Sequence, residues 1–169
     1  MMNELVSQKI NLRKILTHKR DLIKKSSSVE FNLKVFDELC SYINFREIKD
    51  IASFISIRSE ISTHQLNKKI IELSKTLSFP VINKNSKELI FIKSNPNKKF
   101  QLGKFNIPEP TKENEEILPQ LFFVPCLGFD LNGYRLGYGG GFYDTTFAKL
   151  KKLNLKFYTV GFAFDEQKQ

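Results

Sequence analysis

In Leu121-Phe-Phe-Val-Pro-Cys-Leu-Gly-Phe-Asp-Leu-Asn-Gly-Tyr-Arg-Leu-Gly-Tyr-Gly-Gly-Gly-Phe-Tyr-Asp144, a short apolar run gives way to a glycine-rich loop, then to residues able to start a helix. Leu121 to Val124 has the length and side chains of a buried central strand. Gly137, Gly139, Gly140 and Gly141 follow it. Without Cβ, such residues reach positive φ and bring bare amides close to a ligand. Amides turned the same way form a concavity that binds anions, and a helix from about Tyr143 to Leu153 would add its positive end. Arg135 can fork onto phosphate oxygens, and Asp144 is a hard oxygen ligand suited to Mg²⁺. The glycines alone fit a flexible turn with one structural arginine. Cation and carboxylate within the same span point instead to a phosphate-bearing ligand.

Outward from this stretch, helices and strands alternate. A first helix is expected over about residues 3 to 24, where Leu5, Leu12, Ile15, Leu16, Leu22 and Ile23 recur near a 3.6 spacing. Lys9, Arg13 and Arg20 fall within about 40° of one another beside that stripe, so they could point from a docked helix into a cleft, although helix geometry alone favours a snorkelling basic face. Ser27 and Glu30 form a capping-box signature for a second helix carrying Phe31, Val35, Phe36, Leu39, Cys40 and Ile43. Residues 50 to 57 are expected to be a buried strand, about 63 to 77 a third helix with Leu66, Ile70, Ile71 and Leu77 inward. Further strands are expected at 79 to 82, 89 to 92 and 156 to 164, with a turn around Asn83 to Lys87. Residues 93 to 118, rich in Asn, Lys, Pro and Glu, form a long surface connection. The alternation predicts one domain over 1–169. Its fold class is α/β: a three-layer α/β/α arrangement with a mostly parallel open sheet, Rossmann-like. The glycine loop then lies at the carboxyl end of the central strand, where such sheets bind ligands.

A formal charge of +9, from 27 Lys+Arg against 18 Asp+Glu, suits an anionic partner. Cys40 and Cys126 lie in apolar surroundings without metal spacing and are expected to be buried free thiols. No apolar run approaches the roughly 18 to 20 residues of a membrane span, and the expected location is the cytoplasm. His18 and His64 are too isolated to make a metal site.

The run from Val124 to Asp144 resembles the signature of the 5-formyltetrahydrofolate cyclo-ligase family, also called methenyltetrahydrofolate synthetases. Lys9-Ile-Asn-Leu-Arg13 with Arg20 resembles the family's N-terminal Lys-x-x-Leu-Arg helix. Glu60-Ile-Ser-Thr63 is similar to its Glu-x-x-Thr segment, and Phe162-Ala-Phe-Asp-Glu-Gln167 to its late strand and following glutamine. The resemblance implies ATP- and Mg²⁺-dependent cyclisation of 5-formyltetrahydrofolate to 5,10-methenyltetrahydrofolate, with release of ADP and phosphate after phosphorylation of the formyl oxygen. It places Lys9, Ile10, Asn11, Leu12 and Arg13 on ATP, with Lys9 and Arg13 on its phosphates. Arg135, Leu136, Gly137, Tyr138, Gly139, Gly140, Gly141, Phe142 and Tyr143 would cradle the nucleotide. Asp144 would hold Mg²⁺, and Arg135, Asp144 and Lys9 would be catalytic. Glu60 would hydrogen-bond the pterin, with Ile55 and Tyr143 also on the folate, mono- or polyglutamylated. A carboxylate suits an amino-pyrimidinone edge because it accepts two parallel N–H donors. Glu60 fits the start of a helix near Thr63 equally well on the residues alone. A monomer with no nucleic-acid or membrane partner is expected.

Three positions depart from the family pattern: Gly140 stands where lysine is frequent, Phe142 where tyrosine is, and Thr145 where arginine is. Relatives continue beyond the glutamine with a further aspartate and a terminal strand, so the chain is expected to lack that C-terminal segment. Two other readings fit parts of the sequence. One is a basic nucleic-acid-binding module with Phe and Tyr stacking on bases, and the other is a degenerate folate- or nucleotide-binding protein without turnover.

Overall fold

The computed structural model describes residues 2–26, 33–83, 85–111 and 113–169. Helix α1 (Met2–Ser26) leads into α2 (Leu33–Tyr42), strand β1 (Asp50–Ala52) and α3 (His64–Glu72). β2 (Thr76–Ile82) and β3 (Leu89–Lys93) come next, then the short β4 (Gln101–Leu102), β5 (Pro108–Glu109) and β6 (Glu116–Ile117). β7 (Leu121–Val124) precedes the two-residue β8 (Gly128–Phe129) and β9 (Arg135–Leu136), α4 (Phe142–Lys152) and β10 (Tyr158–Gly161). The Ser27–Glu30 capping box and Phe31 lie outside the described residues.

Six strands form the central sheet in the order β10-β7-β1-β2-β3-β6. β10, β7, β1 and β2 run parallel, and β3 and β6 add an antiparallel edge. All four residues of β7 are buried, as a strand covered on both faces requires. Its period of two divides them: Phe123 joins Phe36, Ile51, Leu66 and Ile70 beside α2 and α3, while Phe122 and Val124 join Ala52, Phe91 and Leu150 beside α4. The three expected layers are present. Phe122 meets Phe91, Phe147 and Phe157 edge-on at 5.0–5.6 Å, each contact adding about 0.5–1.5 kcal/mol beyond area burial. A chain with 16 Phe and no Trp builds its core this way.

Several elements differ from the sequence-based expectations. The apolar stripe of α1 is mostly outside: Leu5, Leu12, Ile15 and Leu22 are exposed, and Leu16 alone of the set is buried. The helix docks through a neighbouring face that carries its arginines. Only Asp50–Ala52 of the 50–57 run pairs as a strand, because the chain leaves the sheet to form the turn that carries Glu60. Helix α3 ends at Glu72, Leu77 belongs to β2, and Ile71 is exposed. Cys40 is half-buried, whereas Cys126 is buried, and both are free thiols. The 93–118 connection contains the β4–β5 pair and a turn at 104–106, with Phe105 at φ 64°. Among the described residues, no helix is long and apolar enough to cross a membrane.

Candidate functional site

Strands β1 and β7 are neighbours, but their continuations diverge. After β1 the chain passes through α3 to β2 on one side, and after β7 through α4 to β10 on the other. Such a divergence opens a crevice beyond the carboxyl ends of the two strands. The turn after β1 and the glycine loop after β7 both enter it.

On the β7 side, β8 and β9 form a hairpin that the sequence reading did not separate. Asp130 Oδ1 accepts the amides of Asn132 and Tyr134, both at 2.9 Å, and Gly133 takes φ 80°. This side-chain-closed turn delivers Arg135 to the crevice. The loop then reaches φ 99° at Gly139 and 74° at Gly141, the residue that starts α4. The φ at Gly139 favours glycine, and a Cβ there would crowd the Arg13 guanidinium carbon at 3.2 Å. Arg135 Nη2 donates to Asp144 Oδ1 at 2.7 Å, and its guanidinium lies 5.8 and 5.9 Å from the ring centres of Tyr143 and Phe147. Lys104 and Phe105 reach the same loop from the long connection, against the ring of Phe142.

Helix α1 supplies the other cations. Arg13 Nε donates to the Gly137 carbonyl at 2.9 Å, across 124 positions of sequence. One helical span further on, Arg20 is 1% exposed, which corrects its assignment to a snorkelling face. Its Nε donates to Ser59 Oγ at 3.1 Å, Nη1 to the Cys126 carbonyl at 3.4 Å, and Nη2 to the Tyr138 hydroxyl at 2.5 Å. Ser59 Oγ in turn donates to Asp21 Oδ1. The Tyr138 hydroxyl donates onward to Glu60 Oε1 at 3.0 Å.

Glu60 sits in a turn built by hydroxyls. Ser56 Oγ donates to the Ile61 carbonyl and accepts the Thr63 amide, and Thr63 Oγ1 donates to the Phe54 carbonyl at 2.7 Å. Glu60 Oε2 closes the turn by accepting the Ile57 amide at 2.9 Å. Burial raises the Glu60 carboxyl above its ordinary range, and the Ile57 amide, the Tyr138 hydroxyl, Arg20 and Arg58 oppose that rise. Burial likewise lifts the Tyr138 hydroxyl to about 12 and pushes Tyr143 upward. The Cys126 thiol, raised to about 11 by burial, stays protonated and unreactive.

The structure therefore brings Arg13, Arg135, Gly137, Tyr138, Gly139, Gly141 and Asp144 to one crevice with Glu60. Leu136 lies in β9, paired with Gly128, and Gly140 carries the Phe142 ring where a Cβ would stand. Phe142 and Tyr143 also pack on the α4-side core. Lys9, Ile10, Asn11 and Leu12 are exposed on α1. Ile55 is half-buried against the α2–α3 core cluster. A cavity of about 640 Å³, lined by Phe123, Phe129, Phe162 and Phe164 among others, opens on that side and shares Arg135 with the crevice. Among the described residues, no group of three or more His, Cys, Asp or Glu is placed to hold a metal. The hydroxyl of Tyr138 escaped the sequence reading. The shared face of Arg13 and Arg20 had allowed a cleft-directed reading, which the burial of Arg20 favours over the snorkelling one.

The family model described as the 5-formyltetrahydrofolate cyclo-ligase family matches residues 6–168. The chain is 35% identical over 130 residues to the 5-formyltetrahydrofolate cyclo-ligase of Haemophilus influenzae, covering 74% of this chain and 68% of that one. It is 28% identical over 171 residues to the mouse 5-formyltetrahydrofolate cyclo-ligase, covering 95% and 84%. The solved structure of Aquifex aeolicus 5,10-methenyltetrahydrofolate synthetase superposes with a TM-score of 0.68 at 28% identity, covering 95% of this chain and 79% of that one. With the glycine loop, the α1 arginines and the Glu60 turn meeting at the divergence of β1 and β7, the chain belongs to the 5-formyltetrahydrofolate cyclo-ligase family of ligases.

Proposed function

We propose that the protein uses ATP to close the ring of 5-formyltetrahydrofolate, yielding 5,10-methenyltetrahydrofolate, ADP and phosphate. The formyl oxygen takes the γ-phosphoryl group as ADP leaves; N10 then bonds to the activated carbon and gives up its proton to solvent, and phosphate departs with the former formyl oxygen. An amide-like oxygen is a poor leaving group until it is phosphorylated, so the protein's task is alignment and charge stabilisation. Phosphoryl transfer needs little covalent help from side chains. The convergence of Arg13 and Arg135 on a loop with left-handed Gly139 and Gly141, beside buried Glu60, carries this reading.

In this reading the loop amides and the α4 N-terminus hold the phosphates, Arg13 and Arg135 offset their charge, and Glu60 accepts N–H donors from the pterin edge. Asp144 is 75% exposed in side chain, and one carboxylate beside substrate phosphates suits Mg²⁺, which keeps several waters. Mg²⁺ bound there would neutralise phosphate charge. Arg135 engages Asp144 with one arm of its fork, and its other donors are offered to phosphate oxygens.

Incubation with 5-formyltetrahydrofolate, ATP and Mg²⁺ should produce the near-ultraviolet absorbance of a methenyl product, with none when ATP is omitted. An unchanged spectrum in the complete mixture would sink the proposal. The pH dependence of folate binding adds a second check. Glu60 binds the pterin as a carboxylate, and its pKa is raised above the ordinary 4.5. Folate affinity should therefore weaken as pH falls through that raised value, earlier than an unperturbed glutamate would give. Glu60→Gln should flatten this acidic limb, and an identical limb in that variant would remove Glu60 from the pterin site.

A further inference from the structure

Tyr138 stands between two buried ions on a loop that otherwise consists largely of glycine. Its hydroxyl accepts from Arg20 at 2.5 Å and donates to Glu60 at 3.0 Å, and the Arg20 guanidinium lies 5.4 Å from the ring centre. The residue is nevertheless 41% exposed, so core packing does not account for it. Its backbone lies between Gly137, whose carbonyl holds Arg13, and Gly139, whose missing Cβ makes room for that arginine. Through one residue, the phosphate loop and the Glu60 turn share a hydrogen-bond chain.

We propose that Tyr138 is a positioning residue that couples the two ligand sites, so that nucleotide on the glycine loop and folate at Glu60 each favour binding of the other. This rests on the function proposed above. A triphosphate on Arg13 and the loop amides orders residues 137–139 and thereby fixes the hydroxyl on Glu60 Oε1. With Oε2 already held by the Ile57 amide, the carboxylate then presents one orientation to the pterin edge. Whichever ligand binds first meets the ordering cost, and the second binds to an arranged site. Linkage requires the same factor in both directions.

Tyr138→Phe keeps the ring and removes only the hydroxyl. Calorimetric titration of 5-formyltetrahydrofolate with and without Mg²⁺–AMP-PNP, and of the nucleotide with and without folate, measures the coupling. In the wild-type protein the two factors should agree and lie within about 5–150-fold. In Tyr138→Phe they should fall to near unity. The missing hydroxyl also leaves buried Arg20 and Glu60 each short of a partner and lowers the melting temperature, but a general loss of stability or affinity leaves the ratio of affinities with and without the second ligand unchanged. At saturating ATP the variant's KM for folate should rise by the lost factor, with kcat changing less. Wild-type factors near unity, or an unchanged factor in Tyr138→Phe, would overturn the coupling role while the cyclo-ligase reading stands. Absence of binding by either ligand to the wild-type protein would overturn that reading and the coupling with it.

Discussion

Arg135→Ala should leave the protein folded and lower kcat by about 10²–10³-fold, the usual effect of removing one donor aimed at developing charge. The residue sits at the start of the glycine loop, with its guanidinium turned between the Tyr143 and Phe147 rings and the Asp144 carboxylate. Its ion pair with Asp144 is solvent-facing on the acid side, at 75% exposure. Such a pair contributes about 0–1 kcal/mol to stability, so the melting temperature should scarcely move. Arg135→Lys should recover only part of the rate, because an ammonium is a point charge without the planar fork. Steady-state kinetics at saturating ATP and folate separates the outcomes. A kcat within about threefold of wild type in Arg135→Ala would show that the arginine is structural.

The second large effect falls on stability. Arg20→Ala should destabilise the fold by about 3–5 kcal/mol, as when one partner of a buried charged pair is removed. Arg20 is 1% exposed and Glu60 5%, and the guanidinium is linked to the carboxylate through Tyr138 and directly at 3.9 Å. Its loss strands a buried carboxylate and takes from Ser59 Oγ the donor at 3.1 Å, while the Cys126 carbonyl keeps the Gln167 amide at 2.8 Å. For a chain of this size the loss corresponds to a fall in melting temperature of order 10 °C. Combining Arg20→Met with Glu60→Gln should restore much of it, since replacing both members of a pair costs far less than orphaning one. Thermal denaturation of the two variants is the test. A single variant melting within about 2 °C of wild type would contradict the buried network.

The sheet and the position of the glycine loop were legible because their signals are local. Leu121–Val124 is too apolar and too short to be anything but an inner strand, and the glycines with Arg135 and Asp144 announce themselves by type and spacing. Register signals are weaker. The apolar residues of α1 pointed to the wrong docking face because the helix is held through arginines, whose burial depends on partners more than 35 positions away. Ile71 and Leu77 were misplaced because α3 stops after Glu72 and the chain turns through Ser74 at φ 55°, with no glycine or proline to mark the end. The Glu60 turn was named from its Glu-x-x-Thr pattern. Its closure by Ser56 and Thr63 follows from hydroxyl bonds that periodicity does not report. Asp144 was expected to be a metal ligand, and its pairing with Arg135 was not expected, because a loop of glycines allows many side-chain directions.

Helix α1 is seated on few points. Among its described residues only Leu16 and Arg20 are buried, and Gly128 gives way to the Leu16 methyl that a Cβ there would meet at 2.8 Å. An element secured chiefly by polar bonds, with little oily surface sealed beneath it, opens at lower free energy than the strands behind it. Such a peeling motion would carry Arg13 and Arg20 away together and dismantle the crevice while the sheet stayed intact. Competence for the reaction would then fade under mild denaturant or heat before the fold itself is lost.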